Sequence, residues 1–119
     1  IMAAFADQMK SAPSNHTFML NALDFAIGPS FEVVLAGAGD GDDLRPLVRA
    51  LAGSWVPNKV VIVRDSSVKL KELLEVVPFL KNQPPRGGKA TAYVCRDFSC
   101  KRPTHDPAKM LEQLGAASP

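Results

Sequence analysis

The 119 residues, 46% apolar and 22% charged, have the make-up of one soluble globular core and exclude the disordered and fibrous classes. A net charge of +2 hides an asymmetry, with five Lys/Arg against seven Asp/Glu in residues 1–65 and nine against five thereafter. Lys81, Arg86, Lys89, Arg96, Lys101 and Arg102 are not interleaved with several aromatics, which argues against a nucleic-acid partner.

The stretch IMAAFADQMK lacks the charged start and cleavage pattern of a signal peptide, and no apolar run is long enough to span a membrane. Two cysteines are too few for the disulfide framework of a small secreted domain, so the expected setting is cytoplasmic, with no membrane partner. The chain opens on Ile1 with residues that are already helix-like, which predicts a piece of a longer protein.

In chain order, Ile1, Met2, Phe5 and Met9 recur at helical spacing. Phe18, Met19, Ala22, Leu23 and Ala26 do so again after the breaker Ser11-Ala12-Pro13. A helical hairpin over residues 1–27 is expected, ended by Gly28-Pro29. FEVVLAG (31–37) and KVVIVRD (59–65) are β-branched and apolar almost throughout, as central strands covered on both faces would be.

Between those strands, Asp42 or Asp43 can cap a helix with Pro46 in its first turns and Leu44, Leu47, Val48 and Leu51 on one face. Leu70, Leu73, Leu74, Val77 and Leu80 predict a further helix that Pro78 ends or kinks, and NQPPRGGK reads as a turn region. ATAYVC (90–95) is the third strand. Asp106-Pro107 then opens a last helix that buries Met110, Leu111 and Leu114. The alternation predicts an α/β fold over residues 28–119, a small three-stranded parallel sheet with right-handed crossovers, preceded by the hairpin.

VVLAGAGDGDD imitates a dinucleotide-binding turn, but Asp42 stands where a third glycine is wanted. Asp40, Asp42 and Asp43 would also repel a pyrophosphate, so no nicotinamide cofactor is expected. PPRGGKAT precedes a strand instead of opening a helix, which removes the phosphate-loop reading. His16 and His105 have no serine elbow to complete a hydrolase triad, and no catalytic residue is assigned.

Cys95 and Cys100 remain as redox candidates, with structural thiols, a local disulfide or redox pair, and a metal site all open. His105 could supply a third soft ligand but a fourth is missing, so no metal is assigned. A disulfide there would close a six-residue loop and stabilise the fold by about 2 kcal/mol at most.

AYVCRDFSCKRPTHDP (92–107) resembles the C-terminal end of thioredoxin-domain-containing proteins of the spermatogenesis-associated type, in which Tyr-Val-Cys, a second Cys and a Pro-x-x-Asp-Pro close the chain. The likeness extends through SWVPNKVVIVRD, FEVVLAG and LNALDFAIGP. The resemblance implies a parent protein with a thioredoxin-like domain, then a helical toroid similar to those of sugar epimerases and six-hairpin glycosidases, then this α/β tail. On that view residues 1–27 are the last hairpin of the toroid, and the parent is redox-active or sugar-related.

The family pattern is matched at Tyr93, Cys95, Cys100, Pro103, Asp106 and Pro107, and His105 stands where relatives commonly have a small hydroxyl residue. The expected role is a non-catalytic accessory or interaction module. The alternative is a thiol-disulfide segment using Cys95 and Cys100. The expected partners are the rest of the parent chain and a second copy, met through the apolar surface of Phe5, Met9, Phe18 and Leu23.

Overall fold

The computed structural model describes residues 1–39, 41–65, 70–97 and 99–116, so Asp40 of the acidic turn and Phe98 between the cysteines lie outside the described residues. The chain divides into two compact units, Ile1–Ser30 and Phe31–Pro119. The first is built from helix α1 (Ala6–Ser11) and helix α2 (Thr17–Ile27), joined by a 3-10 turn at Pro13–His16 where the proline sits at the first helical position. Gly28 closes α2 through its amide to the Asp24 carbonyl.

The second unit begins with strand β1 (Phe31–Ala36), followed by helix α3 (Arg45–Ala52), strand β2 (Lys59–Arg64) and helix α4 (Leu70–Val76). A 3-10 turn at Pro78–Asn82 leads to strand β3 (Thr91–Arg96), the short strand β4 (Ser99–Cys100) and helix α5 (Pro107–Gln113). Proline after α4 removes the N–H that the next helical turn would use, and the chain tightens instead of continuing. Asp106 caps α5 as its position predicts, its Oδ1 accepting from the Ala108 N–H at 2.9 Å. Among the described residues no helix is long and apolar enough to cross a membrane.

The sheet corrects the three-stranded parallel expectation. Among the described residues it has four strands in the order β2-β1-β3-β4, with β1 and β2 parallel and β3 antiparallel to both β1 and β4. The reason lies in the segment 83–90. Gln83 sits beside Cys95 and Cys100, whereas the Arg86 N–H donates to Thr91 Oγ1 at 2.8 Å. The segment therefore runs alongside β3 in the opposite sense before turning into it.

Only residues 86–89 form the turn. Arg86 and Lys89 bridge, and Gly87 and Gly88 both take positive φ (59° and 65°), the conformation that a two-residue hairpin turn requires. This extra traverse delivers the chain to the opposite end of β1, so that Thr91 faces Ala36 and Cys95 faces Glu32.

Alternation along the strands divides the core between two faces. Val33, Leu35, Ala92 and Val94 point to one side, against Leu44, Leu47 and Leu51 from the α3 region and Met110, Leu111 and Leu114 from α5. Val34, Ala36, Tyr93 and Cys95 point to the other, against Leu80, with Ile62, Leu73, Leu74 and Val77 packed alongside. Each fully buried Leu or Val contributes roughly 1.5–3 kcal/mol relative to exposure.

A second correction concerns β2, whose sequence reads as a central strand. It lies at the sheet's edge, and Val60, Val61 and Val63 are exposed, Val61 by 41%. The helices that pack on the sheet bury β1 and β3 and leave β2 partly uncovered. Val48, expected on the buried face of its helix, is exposed there for the same reason.

Candidate functional site

The cysteines are the chemistry that the chain offers, and sheet register brings them together. Cys95 on β3 faces Cys100 on β4, and the Lys101 N–H donates to the Val94 carbonyl at 2.9 Å in the next row. The rows of an antiparallel pair alternate, so Cys95 and Cys100 occupy a non-hydrogen-bonded position, where side chains stand closest. The two sulfurs form a disulfide. The turn that makes the pairing possible lies between Arg96 and Ser99, with Asp97 at φ 51° in the left-handed region.

The row continues on the other side. Glu32 on β1 faces Cys95, so Glu32, Cys95 and Cys100 share one face of the sheet. A cavity of about 280 Å³ opens there, lined by Glu32, Phe79, Gln83, Cys95 and Cys100. Cys95 is 5% exposed, whereas Cys100 is exposed to solvent. The disulfide is thus asymmetric, one cysteine packed in the core and its partner exposed.

Gln83 governs the inner wall. It is 7% exposed, and its Nε2 lies 3.5 Å from the Cys95 sulfur and 3.4 Å from that of Cys100. Among the described residues its buried Oε1 has no hydrogen-bond partner. The backbone around it is clamped, because Arg64 Nη1 donates to the Gln83 carbonyl at 2.9 Å and the Tyr93 hydroxyl donates to that of Pro84. Arg86 Nε donates in turn to the Tyr93 hydroxyl at 3.2 Å.

The remaining residues singled out from the sequence fall elsewhere. His105 Nδ1 lies 2.9 Å from the Ala90 carbonyl, at the other end of β3 from Cys95, which places its proton on Nδ1 and separates it from the sulfurs. Among the described residues no group of three His, Cys, Asp or Glu is placed to hold a metal. Asp42 and Asp43 do not cap α3. Asp42 pairs with Arg45 at 2.7 Å, and Asp43 Oδ2 accepts from the Ala38 N–H at 2.8 Å, tying the loop after β1.

The matched pattern around the cysteines acquires structural roles. Tyr93 holds the strap of residues 84–86 that runs alongside β3, and Asp106 and Pro107 start α5. Cys95 faces Cys100 but Ala92 faces Thr104, so the outer strand carries one residue more than β3 over this stretch. That is a β-bulge at Arg102 and Pro103, where a residue without an N–H interrupts no ladder.

Glu32, Phe79 and Gln83 are site residues that the sequence does not announce. Glu32 precedes Cys95 by more than half the chain, and only the β1–β3 register joins them. The Gly87-Gly88 pair is the one local signal, since it places a hairpin turn immediately before β3 and so puts Gln83 beside that strand.

Comparison with known proteins bears on the whole chain. Over 114 residues it is similar to spermatogenesis-associated protein 20 of Homo sapiens at 29% identity, of Rattus norvegicus at 26% and of Mus musculus at 25%. The alignment covers 96% of this chain but 14% of each relative, so the chain spans about one-seventh of their length. No family model matches, and no solved structure matches.

Proposed function

We propose that the chain is a non-catalytic accessory module of a longer cytoplasmic protein with a thioredoxin-like domain and a helical toroid, to which residues 1–27 contribute a hairpin. The observation that carries the interaction role is β2. Its outer edge has no strand partner among the described residues, and beside it lies a cavity of about 510 Å³ lined by Val48, Trp55, Val61 and Val63, with Trp55 88% exposed.

An apolar edge strand next to an exposed tryptophan is a surface for strand addition or for an apolar partner. The proposed occupant is the rest of the parent polypeptide, which linkage holds at high effective concentration. Hydrogen exchange tests this reading. The amides of β2 should exchange at least about ten-fold more slowly in the full-length parent than in the isolated chain, and equal rates would refute the docking.

A second reading has its own observation. The Cys95–Cys100 disulfide has one exposed cysteine and a carboxamide donor beside both sulfurs, which suits thiol-disulfide exchange. In a cytoplasmic chain a disulfide is more often transient or redox-active than structural. Redox titration separates the two roles. A potential between roughly −270 and −180 mV marks an exchangeable pair, and one below about −300 mV marks a structural staple.

A further inference from the structure

We propose that the cavity beside the disulfide is a substrate site selecting thiols that carry a cationic N–H donor near the sulfur, with Cys100 as the attacked sulfur and Cys95 as the leaving thiolate. The proposal rests on the exchange reading above and names its direction and substrate class. Three observations carry it.

First, the two cysteines differ in exposure. Cys100 is exposed and Cys95 is buried among Val34, Leu80 and Tyr93, so an incoming thiolate reaches Cys100 Sγ. Second, a carboxylate residue and a carboxamide with an unpartnered oxygen stand at the cavity. Gln83 Oε1, in a residue more than nine-tenths buried, has no partner among the described residues, and Glu32 lines the same cavity. An unpartnered acceptor and a carboxylate residue at one cavity suit a cationic donor, and among the described residues Glu32 is the one ionisable side chain lining the cavity other than the paired cysteines.

Third, Gln83 Nε2 already points at both sulfurs, and an N–H that contacts a disulfide weakly becomes a strong donor once one sulfur carries charge. The Gln83 backbone is pinned by Arg64, so the side chain acts from a fixed base.

The step balances as follows. A thiolate RS⁻ attacks Cys100 Sγ, the new S–S bond forms as the Cys95–Cys100 bond breaks, and the electron pair leaves on Cys95 Sγ. That thiolate accepts the Gln83 N–H and then a proton from water. A second thiol attacks the substrate-side sulfur of the mixed disulfide, releasing Cys100 as a thiol and RSSR as product. Two substrate thiols are oxidised and one protein disulfide is reduced.

The test uses the 119-residue chain and runs the exchange in reverse on single-cysteine variants. Reduced Cys95→Ser, which keeps Cys100, and reduced Cys100→Ser, which keeps Cys95, are mixed with cystamine, with dithiodipropionate, or with the disulfide dimer of a Lys-Cys dipeptide. Mixed disulfides are timed by mass spectrometry, and each rate is divided by that of the same variant unfolded in urea.

The Cys100 thiol should react at least about ten-fold faster than the Cys95 thiol. It should prefer cystamine to the dianionic reagent by about five-fold, a preference that Glu32→Gln removes and that high salt weakens. A preference for the dipeptide dimer over cystamine would identify a cysteine within a basic peptide as the carrier, and the reverse a free aminothiol. In the forward direction, Gln83→Met should slow reduction of the wild-type disulfide by cysteamine about ten-fold while leaving the far-UV spectrum unchanged.

Exchange at Cys100 without charge preference overturns the substrate class and leaves the exchange reading standing. Faster reaction at Cys95 overturns the direction. A wild-type disulfide that resists cysteamine for hours overturns both the proposal and the exchange reading beneath it.

Discussion

Replacing Tyr93 by Phe tests whether the strap of residues 84–86 is held by one hydroxyl. In the native chain this hydroxyl donates to the Pro84 carbonyl and accepts from Arg86 Nε at 3.2 Å, while the ring, 3% exposed, packs with Val34 and Leu80. The substitution keeps the ring and removes both hydrogen bonds. Net losses of about 0.5–1.5 kcal/mol per bond apply, the upper end unused because Arg86 and Pro84 are exposed enough to rehydrate.

The expected loss is about 1–2 kcal/mol. With a urea slope of about 1–3 kcal/mol/M, the unfolding midpoint should fall by roughly 0.3–2 M. Circular dichroism reads the midpoint, and Trp55 fluorescence is avoided because that side chain is already exposed. Hydrogen exchange supplies the local readout, since the Arg86 amide donates to Thr91 and the Lys89 amide to Arg86. Both should exchange faster in the variant. An unchanged midpoint with unchanged exchange at Arg86 and Lys89 would show that Tyr93 does not hold the strap.

Two further outcomes are expected. Removing the disulfide with the double substitution Cys95→Ser, Cys100→Ser should destabilise the chain by about 2 kcal/mol, since it closes only a six-residue loop; chemical denaturation of the oxidised and substituted chains measures the difference, and a loss beyond about 4 kcal/mol would contradict the short-loop reasoning. The isolated chain should self-associate through its N-terminal hairpin, where Phe18 is 90% exposed. Phe18→Ser should then restore a monomeric mass in light scattering, and a wild-type chain that is monomeric at high concentration would end that idea.

What the sequence discloses depends on how local the cause is. The strands near 31–36, 59–64 and 91–96 follow from β-branched apolar runs, and α5 follows from Asp106 and Pro107, because caps and periodicity act within a few residues. The direction of β3 depends on the path of 83–90, which a reading of NQPPRGGK as one turn conceals. β4 is two residues long and is reached through a turn at Asp97 without a glycine, so pattern and turn chemistry both pass over it.

The edge position of β2 is hidden for a different reason. An apolar run shows that a strand expects cover on both sides, and says nothing of whether the cover comes from the same unit. The site divides along the same line. Cys95 and Cys100 stand out because they are the only two cysteines, whereas Glu32 and Gln83 matter through register and burial alone.

The two ends of the sheet are finished differently, and this limits how it can grow. Beyond β3 the outer strand is cut short, bulged at Arg102 and Pro103, and tied to the end of α5 by Lys101 Nζ to the Gln113 carbonyl and Gln113 Nε2 to the Arg102 carbonyl. Charge, proline and a bulge together refuse a further strand. The β2 side carries none of these devices between Val60 and Val63. Among the described residues the sheet is sealed at one margin and open at the other, so strand addition at β2 would take one neighbour and then stop: a strand from elsewhere in a longer polypeptide would end the sheet. Filaments built by sheet extension would need a second open margin, so strand addition at β2 would be a one-to-one contact.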